Sequence, residues 1–152
     1  MNSKHEKAYT FLNHHRLGVL GTVSATSEPW GAAIYYTVNK HLTFYFITHV
    51  TTLKYDNMQR SHRASLTVVD DETQTTVQAV GDITELADTS DEYSEAYSKL
   101  AHVRPSDELG WTPPVSKMHT GKTALFKLTP TSLRFADFDS RQPSHDSAEQ
   151  II

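Results

Sequence analysis

Hydroxyl side chains and one lysine follow an aromatic stretch in the middle of the chain. Residues 44–47 form an aromatic and β-branched run that is typical of a strand. Thr51 or Thr52 then precedes Lys54 at the start of a helical pattern, so either threonine suits a helix N-cap. The first N–H groups of a helix lack internal partners and carry partial positive charge, so this turn could bind a phosphate. An ordinary cap followed by a surface lysine fits the same residues.

Other reactive side chains form no recognisable catalytic or metal-binding pattern. The chain has nine histidines and no cysteine, which excludes disulfides, thiolate metal sites and thiol nucleophiles. His14 and His15 are adjacent, and no histidine pair has the spacing of a helical zinc site, so we predict no metal. No Ser-His-Asp or paired-carboxylate arrangement can be identified from the sequence, so the catalytic residues are left unassigned.

Several aromatic residues and one histidine have two possible roles. Trp30, Tyr35 and Tyr36 could stack on a planar ligand, although aromatic strand residues more often belong to a core or an interface. Trp111 lies in a loop predicted over residues 103–121, where it fits a lid, an intersubunit contact or simple packing. His49 could donate to an anion when protonated, and it fits a surface position equally well.

Composition is that of an ordinary globular domain. The 152 residues are 38% hydrophobic and 21% charged, which predicts one domain over residues 1–140 and a polar, disordered tail over 141–152. The net charge of −4 argues against nucleic acid or an anionic membrane as the main partner. No signal-like segment or membrane-length apolar run occurs, so we expect a cytoplasmic protein.

Short strands and three helices position these residues. Helices are predicted over 3–15, 52–60 and about 88–102, the last capped by Asp88 or Ser90. Strands are predicted over 17–24, 30–39, 41–48, 63–70, 75–86, 123–130 and 132–139, with a bulge or bend at Gly81. Short connections make most of these strands antiparallel. About seven such strands favour a barrel, because closure removes exposed edges.

Four segments, in this order, resemble the pyridoxamine 5'-phosphate oxidase-like FMN-binding split-barrel family. They are HHRLGVLGTVSATSEPWGAAIYY, FYFITHVTTLKYDNM, RASLTVVDDETQTTVQAVGDITEL and FKLTPTSLRFADF, and the resemblance extends over about residues 11–139. It implies a mainly β fold with short helices, namely an antiparallel six- to eight-stranded split β-barrel. It also implies a homodimer that holds two FMN molecules in the grooves between its subunits.

The resemblance assigns cofactor-binding residues position by position. The family strand whose backbone lies along the isoalloxazine ring falls on Ala32, Ala33, Ile34 and Tyr35. Small residues in that strand would permit close backbone approach to a flat ring. The family's phosphate site falls on Thr48, His49, Thr52 and Lys54. A family glutamine that reaches the flavin across the dimer interface falls on Thr76, with Gln78 two residues further along the same strand face.

The resemblance implies a small FMN-dependent oxidoreductase or flavin reductase acting on a small-molecule substrate, with NAD(P)H as a candidate reductant. Because FMN itself would transfer the hydride or electrons, no acid or base residue is required. The Arg- and Trp-containing C-terminal region of the full oxidase has no clear counterpart, and Arg134 is not equated with it, so vitamin B6 oxidation is not favoured. The alternative is a non-catalytic binding or sensing module for flavin, deazaflavin or haem, or an interaction dimer with an empty groove.

Overall fold

The computed structural model describes residues 3–101, 122–137 and 148–152, which form three helices and seven strands. In chain order these elements are α1 (Ser3–His14), β1 (Leu17–Val23), β2 (Pro29–Val38), β3 (Phe44–His49), α2 (Leu53–Arg60), β4 (Arg63–Asp70), β5 (Thr75–Glu85), α3 (Asp91–Ala101), β6 (Thr123–Asp137) and β7 (Ala148–Gln150). Each helix and strand predicted before residue 102 is present, with ends that differ by at most three residues.

Six strands close into an antiparallel barrel. The order of hydrogen-bonded neighbours is β3-β2-β1-β4-β5-β6-β7, and β3 also pairs with β6. That pairing runs from Phe44 opposite Leu128 to His49 opposite Thr123, so it closes the barrel over the full length of β3. The predicted mainly β, antiparallel barrel is therefore confirmed, with β7 as one additional strand beside β6.

Large apolar side chains fill the barrel, and helices cover parts of its surface. The largest fully buried residues are mostly aromatic or leucine, and include Tyr36, Phe44, Phe46 and Phe126. Burying each such side chain contributes about 1.5–3 kcal/mol. Helix α1 adds Leu12 to this core, and α2 adds Met58. Helix α3 lies outside the barrel on β3 and β6, where its apolar residues pack on Tyr45 and Leu125.

The prediction of two strands, over 123–130 and 132–139, is wrong, because Thr123–Asp137 is one continuous strand. Gly81 pairs with Pro130 and Val80 pairs with Ser132, so Thr131 between them is the extra residue of a bulge. A bulge accommodates a proline, which has no N–H for the ladder. The predicted irregularity at Gly81 is confirmed, since a Cβ there would overlap the backbone of the opposing strand.

The strand predicted from residue 41 begins only at Phe44, because Asn39 organises a turn before it. The Asn39 side-chain oxygen accepts from the backbone N–H of His41 at 2.9 Å and of Thr43 at 3.0 Å. Leu42 adopts a positive φ of 61° and is fully buried. The turn therefore extends over three residues that the strand pattern had included.

The end of the chain contains a strand that the sequence does not predict. Residues Ala148–Gln150 pair with Arg134–Ala136 of β6, and Ile151 packs against the barrel core. The loop predicted over 103–121, including Trp111, and residues 141–147 of the predicted tail lie outside the described residues. Within the part described, no helix combines the length and apolarity needed to cross a membrane. The cytoplasmic location stays a prediction.

Candidate functional site

Strand β2 pairs with β1 along most of one edge but with β3 along only a short part of its other edge, which opens the barrel on one side. Residues Pro29–Tyr35 pair with β1, whereas only Tyr36–Val38 pair with β3. Beyond that short ladder the two strands separate, and the last residues of β3 pair with β6 alone. The opening is bordered by Ala32–Tyr35 on one side and by the end of β3, at Thr48 and His49, on the other. The strand and the turn predicted to bind one cofactor thus border one opening.

Residues of β2 offer the opening mainly their backbone. Ile34 is buried in the core, Ala33 is exposed, and Ala32 and Tyr35 are half-buried. The small side chains at 32 and 33 leave the edge of the strand accessible to a planar group. The prediction that the backbone of this strand meets a ring is compatible with this arrangement, and it stays a prediction.

The candidate aromatic residues of β2 have different environments. Tyr36 is buried, and its hydroxyl donates to the carbonyl oxygen of Leu12 at 2.9 Å. Burial raises the pKa of Tyr36. Tyr36 therefore belongs to the core. The Trp30 side chain is 48% exposed at the start of the strand, where it can contact a planar molecule.

The turn after β3 is organised by the Thr52 hydroxyl. Its oxygen accepts from the N–H of Tyr55 at 3.3 Å, which makes Thr52, rather than Thr51, the N-cap of α2. The same hydroxyl donates to the carbonyl oxygen of His49 at 2.8 Å. Both bonds fix the direction in which α2 leaves the strand. The sequence-based prediction of a hydroxyl cap is confirmed.

Thr48 completes a chain of hydroxyls in this turn. Its Oγ1 lies 3.1 Å from Oγ1 of Thr52. Because the one hydroxyl hydrogen of Thr52 is directed to His49, Thr48 must be the donor in this pair. Neither hydroxyl then has a hydrogen left for a ligand. Donors that remain at the turn include the backbone N–H groups of Leu53 and Lys54, which have no partner within a helix, and the Lys54 ammonium.

A second buried polar contact holds α2 against the barrel, and the sequence analysis missed it. Asn57 Nδ2 donates to Thr22 Oγ1 of β1 at 3.1 Å, and the two residues are only 2% and 3% exposed. A buried side-chain hydrogen bond of this kind is costly to break, because it leaves an unsatisfied polar group. The helical spacing of Asn57 with apolar residues was the only sign in the sequence that its side chain faces the barrel. The partner is 35 residues away and could not be identified.

Lys54 has the environment of an anion-binding residue. Its side chain is half-buried, and burial lowers the pKa of its ammonium. Among the described residues no carboxylate forms an ion pair with it. Lys54 belongs to the first turn of α2, at the positive end of the helix dipole, so a bound anion would stabilise both the helix end and the ammonium. This donor set fits a phosphate group. His49 is half-buried nearby, and its role stays a prediction.

Thr76 and Gln78 lie on the outward side of β5, far from the opening. Gln78 pairs with Thr67, Thr67 with Val19, and Val19 with Ala33, so three strand spacings separate Gln78 from β2. At about 4.8 Å per spacing the separation is roughly 14 Å. Within one subunit, Thr76 and Gln78 therefore do not border the opening. The two β5 residues do share one face, as the sequence predicts, and Gln78 has Arg134 as its neighbour on β6.

The outward side of β1, β4 and β5 carries a group of exposed apolar side chains, here called the outer face. It consists of Leu17, Val19, Val23, Val69 and Val80, which are 42–58% exposed. Scattered exposed apolar residues are ordinary, but these lie on neighbouring strands of one sheet. Such a surface is typical of a contact between proteins. The described residues contain no group of three or more potential metal ligands.

The sequence profile described as pyridoxamine 5'-phosphate oxidase matches residues 5–137. The chain belongs to this family. No curated protein matches the chain in sequence. Membership of the pyridoxamine 5'-phosphate oxidase family agrees with the closed barrel, and the resemblance stated from the sequence is confirmed.

Solved structures of low sequence identity share the fold. A haem-binding protein from Mycobacterium smegmatis has a TM-score of 0.73 and 16% identity over 99% of this chain and 58% of its own, so this chain spans little more than half of that protein. A pyridoxamine 5'-phosphate oxidase-related, FMN-binding protein from Nostoc punctiforme has a TM-score of 0.60 and 16% identity, over 99% of this chain and 94% of its own. The haem storage protein HutZ from Vibrio cholerae has a TM-score of 0.65 and 13% identity, over 86% of this chain and 92% of its own.

The Thr52 cap should contribute measurably to stability. Replacing Thr52 with valine keeps the shape but removes the hydroxyl, so the free energy of unfolding should fall by about 1–2 kcal/mol. Urea denaturation of purified protein measures the change. Thr52→Ser retains the hydroxyl and should lose less than half as much. Equal losses in the two variants would show that the methyl group contributes as much as the hydroxyl cap.

Proposed function

We propose that this protein binds FMN in the opening between β2 and β3 and works as a small flavin-dependent oxidoreductase or flavin reductase. The observation that carries the proposal is the half-buried Lys54 ammonium, which lies at the N-terminus of α2 without a carboxylate partner among the described residues. A cation in low-dielectric surroundings is costly unless an anion accompanies it. The FMN phosphate would supply that anion.

Each part of the opening would hold a different part of the cofactor. The N–H groups of Leu53 and Lys54, with the Lys54 ammonium, would bind the phosphate, while Thr48 and Thr52 keep the turn in shape. The edge of β2 at Ala32–Tyr35 would bind the polar rim of the ring. Bound FMN would supply hydride or electron transfer, and the chain would supply position and exclusion of water.

We propose that the protein acts as a homodimer whose contact is the outer face. Exposed apolar residues on adjacent strands support this, because burying them against a second copy would stabilise the pair. The roughly 14 Å between Gln78 and β2 also supports it, since a second subunit could bring Gln78 or Thr76 closer to the same flavin.

The second candidate function is a non-catalytic binding or sensing module on the same scaffold. Thr76 stands at the position where the resemblance implies a glutamine, which weakens the polar contact expected at the flavin. Solved structures that share the fold include proteins that bind or store haem, so haem and deazaflavin are the alternative ligands. The absorbance spectrum of the purified protein distinguishes flavin, haem and no cofactor.

Removing the Lys54 charge should weaken FMN binding selectively. Lys54→Gln should raise the FMN dissociation constant roughly ten- to a hundredfold, the effect of one charged hydrogen bond. Quenching of flavin fluorescence measures binding. Riboflavin lacks the phosphate, so its affinity should change less than threefold. For the wild type, FMN affinity should fall as the pH rises toward the ordinary lysine range, because burial lowers the pKa of Lys54 and its ammonium loses the proton below that range.

Lys7→Gln is the matched control for this experiment. Lys7 is exposed on α1, so its replacement removes the same charge from the chain while the turn stays unchanged. FMN binding by this variant should equal that of the wild type. If both variants lost FMN equally, general electrostatic attraction would explain binding, and the phosphate site would be rejected.

A charge in the outer face should separate the subunits. Val19→Lys should convert the dimer into a monomer, because an ammonium cannot be buried against the apolar surface without a partner. Light scattering during size exclusion measures the mass, and circular dichroism checks folding. Ile152→Lys changes an exposed apolar position outside the outer face, and this variant should remain dimeric. A monomeric wild type would contradict the proposed dimer.

Reduction of the bound flavin should decide between enzyme and module. Anaerobic mixing of FMN-loaded protein with NADH or NADPH should bleach the flavin absorbance within a catalytic turnover time, on the order of a second or less. Free FMN at the same concentration is the control for uncatalysed reduction. If neither nucleotide reduces the flavin faster than this control, the binding or sensing module is the better assignment.

A further inference from the structure

Strand β6 has two halves with different neighbours on one of its edges. Over residues 123–128 that edge pairs with β3 and closes the barrel, while β5 pairs with the opposite edge. Beyond the bulge at Thr131, β7 takes the place of β3, with Phe135 opposite Glu149. The second half of β6 therefore extends past the closed barrel. Its edge is covered by residues 148–152, here called the covering segment.

Few polar contacts hold the covering segment. Three of its residues pair with β6, and the N–H of Ile151 donates to the carbonyl oxygen of Leu133 at 2.8 Å. Gln150 Nε2 donates to Ser132 Oγ at 2.8 Å. These contacts are mostly to the backbone, so they fix an extended conformation and constrain few side chains.

One apolar side chain anchors the covering segment. Ile151 is half-buried and packs against the barrel core, whereas Glu149, Gln150 and Ile152 are exposed. Lys4 Nζ of α1 lies 3.2 Å from Glu149 Oε2, and both side chains are about half exposed, so water screens this ion pair. A segment with one anchor and a short ladder opens at a much lower free energy than the barrel as a whole.

The backbone of β6 alternates between its two neighbours. The N–H and the C=O of Leu133 both face the covering segment, since the N–H donates to the carbonyl oxygen of Ile152 at 3.4 Å. Alternate residues of an antiparallel strand face opposite edges, so Phe135 also faces the covering segment and Arg134 faces β5. When the covering segment leaves, the polar groups of Leu133 and Phe135 lose their strand partner. An uncovered edge of this kind is a template for another extended chain.

We propose that the edge of β6 over residues 133–136 is a docking site for an extended peptide, and that the covering segment occupies it as a displaceable strand. The present occupant shows which chemistry fits. A branched apolar side chain takes the place of Ile151 against the core, and an acidic residue two positions earlier lies beside Lys4. The main-chain bonds to Leu133 and Phe135 supply most of the remaining affinity.

The covering segment competes with any such peptide. Because it belongs to the same chain, it acts at an effective concentration on the order of millimolar. A peptide at micromolar concentration therefore binds well only when the covering segment is weakened. This competition makes the docking site measurable in the full-length protein.

Amide hydrogen exchange of the wild type, followed by nuclear magnetic resonance, tests whether the covering segment leaves by itself. The amides of Leu133 and Phe135 should exchange roughly tenfold or more faster than that of Arg134, because the first two are protected by the covering segment and the third by β5. Equal protection of the three amides would overturn the proposal, since the covering segment would then open only together with the barrel.

A labelled peptide tests the docking site itself. Ile151→Asp in the full-length protein removes the apolar anchor, so this variant should bind a fluorescent, C-terminally amidated peptide of residues 145–152 about tenfold more tightly than the wild type does. Fluorescence anisotropy measures binding, and circular dichroism checks folding. Ile152→Asp is the matched control, because it places the same charge at an exposed position and should bind the peptide as weakly as the wild type.

A second peptide, identical except for Ile151→Asp, separates docking from general adhesion. It should bind the Ile151→Asp protein at least roughly tenfold more weakly than the first peptide, because an aspartate cannot occupy the apolar position. Equal binding of the two peptides, or no binding of the first peptide to the folded variant, would contradict a docking site at this edge.

Discussion

The short pairing between β2 and β3 is the constraint on which the rest of the candidate site depends. Pro29–Tyr35 hydrogen-bond with β1 and only Tyr36–Val38 with β3, so part of one strand edge is left open inside an otherwise closed barrel. Backbone polar groups at such an edge need partners from water or from a ligand. The chain also turns from β3 into α2 at this opening, which places a helix N-terminus beside the open edge. A planar polar group and an anion could therefore be bound together.

The charges at the turn determine which kind of ligand the opening favours. The N-terminal end of the α2 dipole and the Lys54 ammonium are both positive, and burial already disfavours the charged lysine. Two polar contacts hold the helix in this position: the hydroxyl pair of Thr48 and Thr52 at its start, and the bond from Asn57 to Thr22 one turn later. The Lys54 ammonium and the N-terminus of α2 thus belong to the same turn, in a chain whose net charge is −4. An anion is the ligand that would stabilise both.

Local patterns in the sequence predict most of the barrel but not its long-range details. The strand-forming runs of β1 to β5 and the caps at Thr52 and Ser90 depend on neighbouring residues only, and the structure confirms them. The continuity of β6 could not be predicted, because Pro130 is a local turn signal and the opposing Gly81, which accommodates the bulge, is 49 residues away. The same limit applies to the site. Lys54 and its turn were found from spacing, whereas the Thr22–Asn57 contact and the opening beside β2 depend on tertiary pairing.

The hydroxyl bonding of Thr48 and Thr52 changes the interpretation of this turn. Both hydroxyl hydrogens are used within the protein, so the groups left to bind an anion include the backbone N–H groups of Leu53 and Lys54 and the Lys54 ammonium. On the other side of the opening the available groups also belong to the backbone, at the edge of β2. A site made from a strand edge and a helix N-terminus constrains few side chains, because any sequence that folds this way presents the same N–H and C=O groups. Solved structures of only 13–16% identity share this fold, so the backbone groups at a strand edge and a helix start are the part of the opening that depends least on sequence.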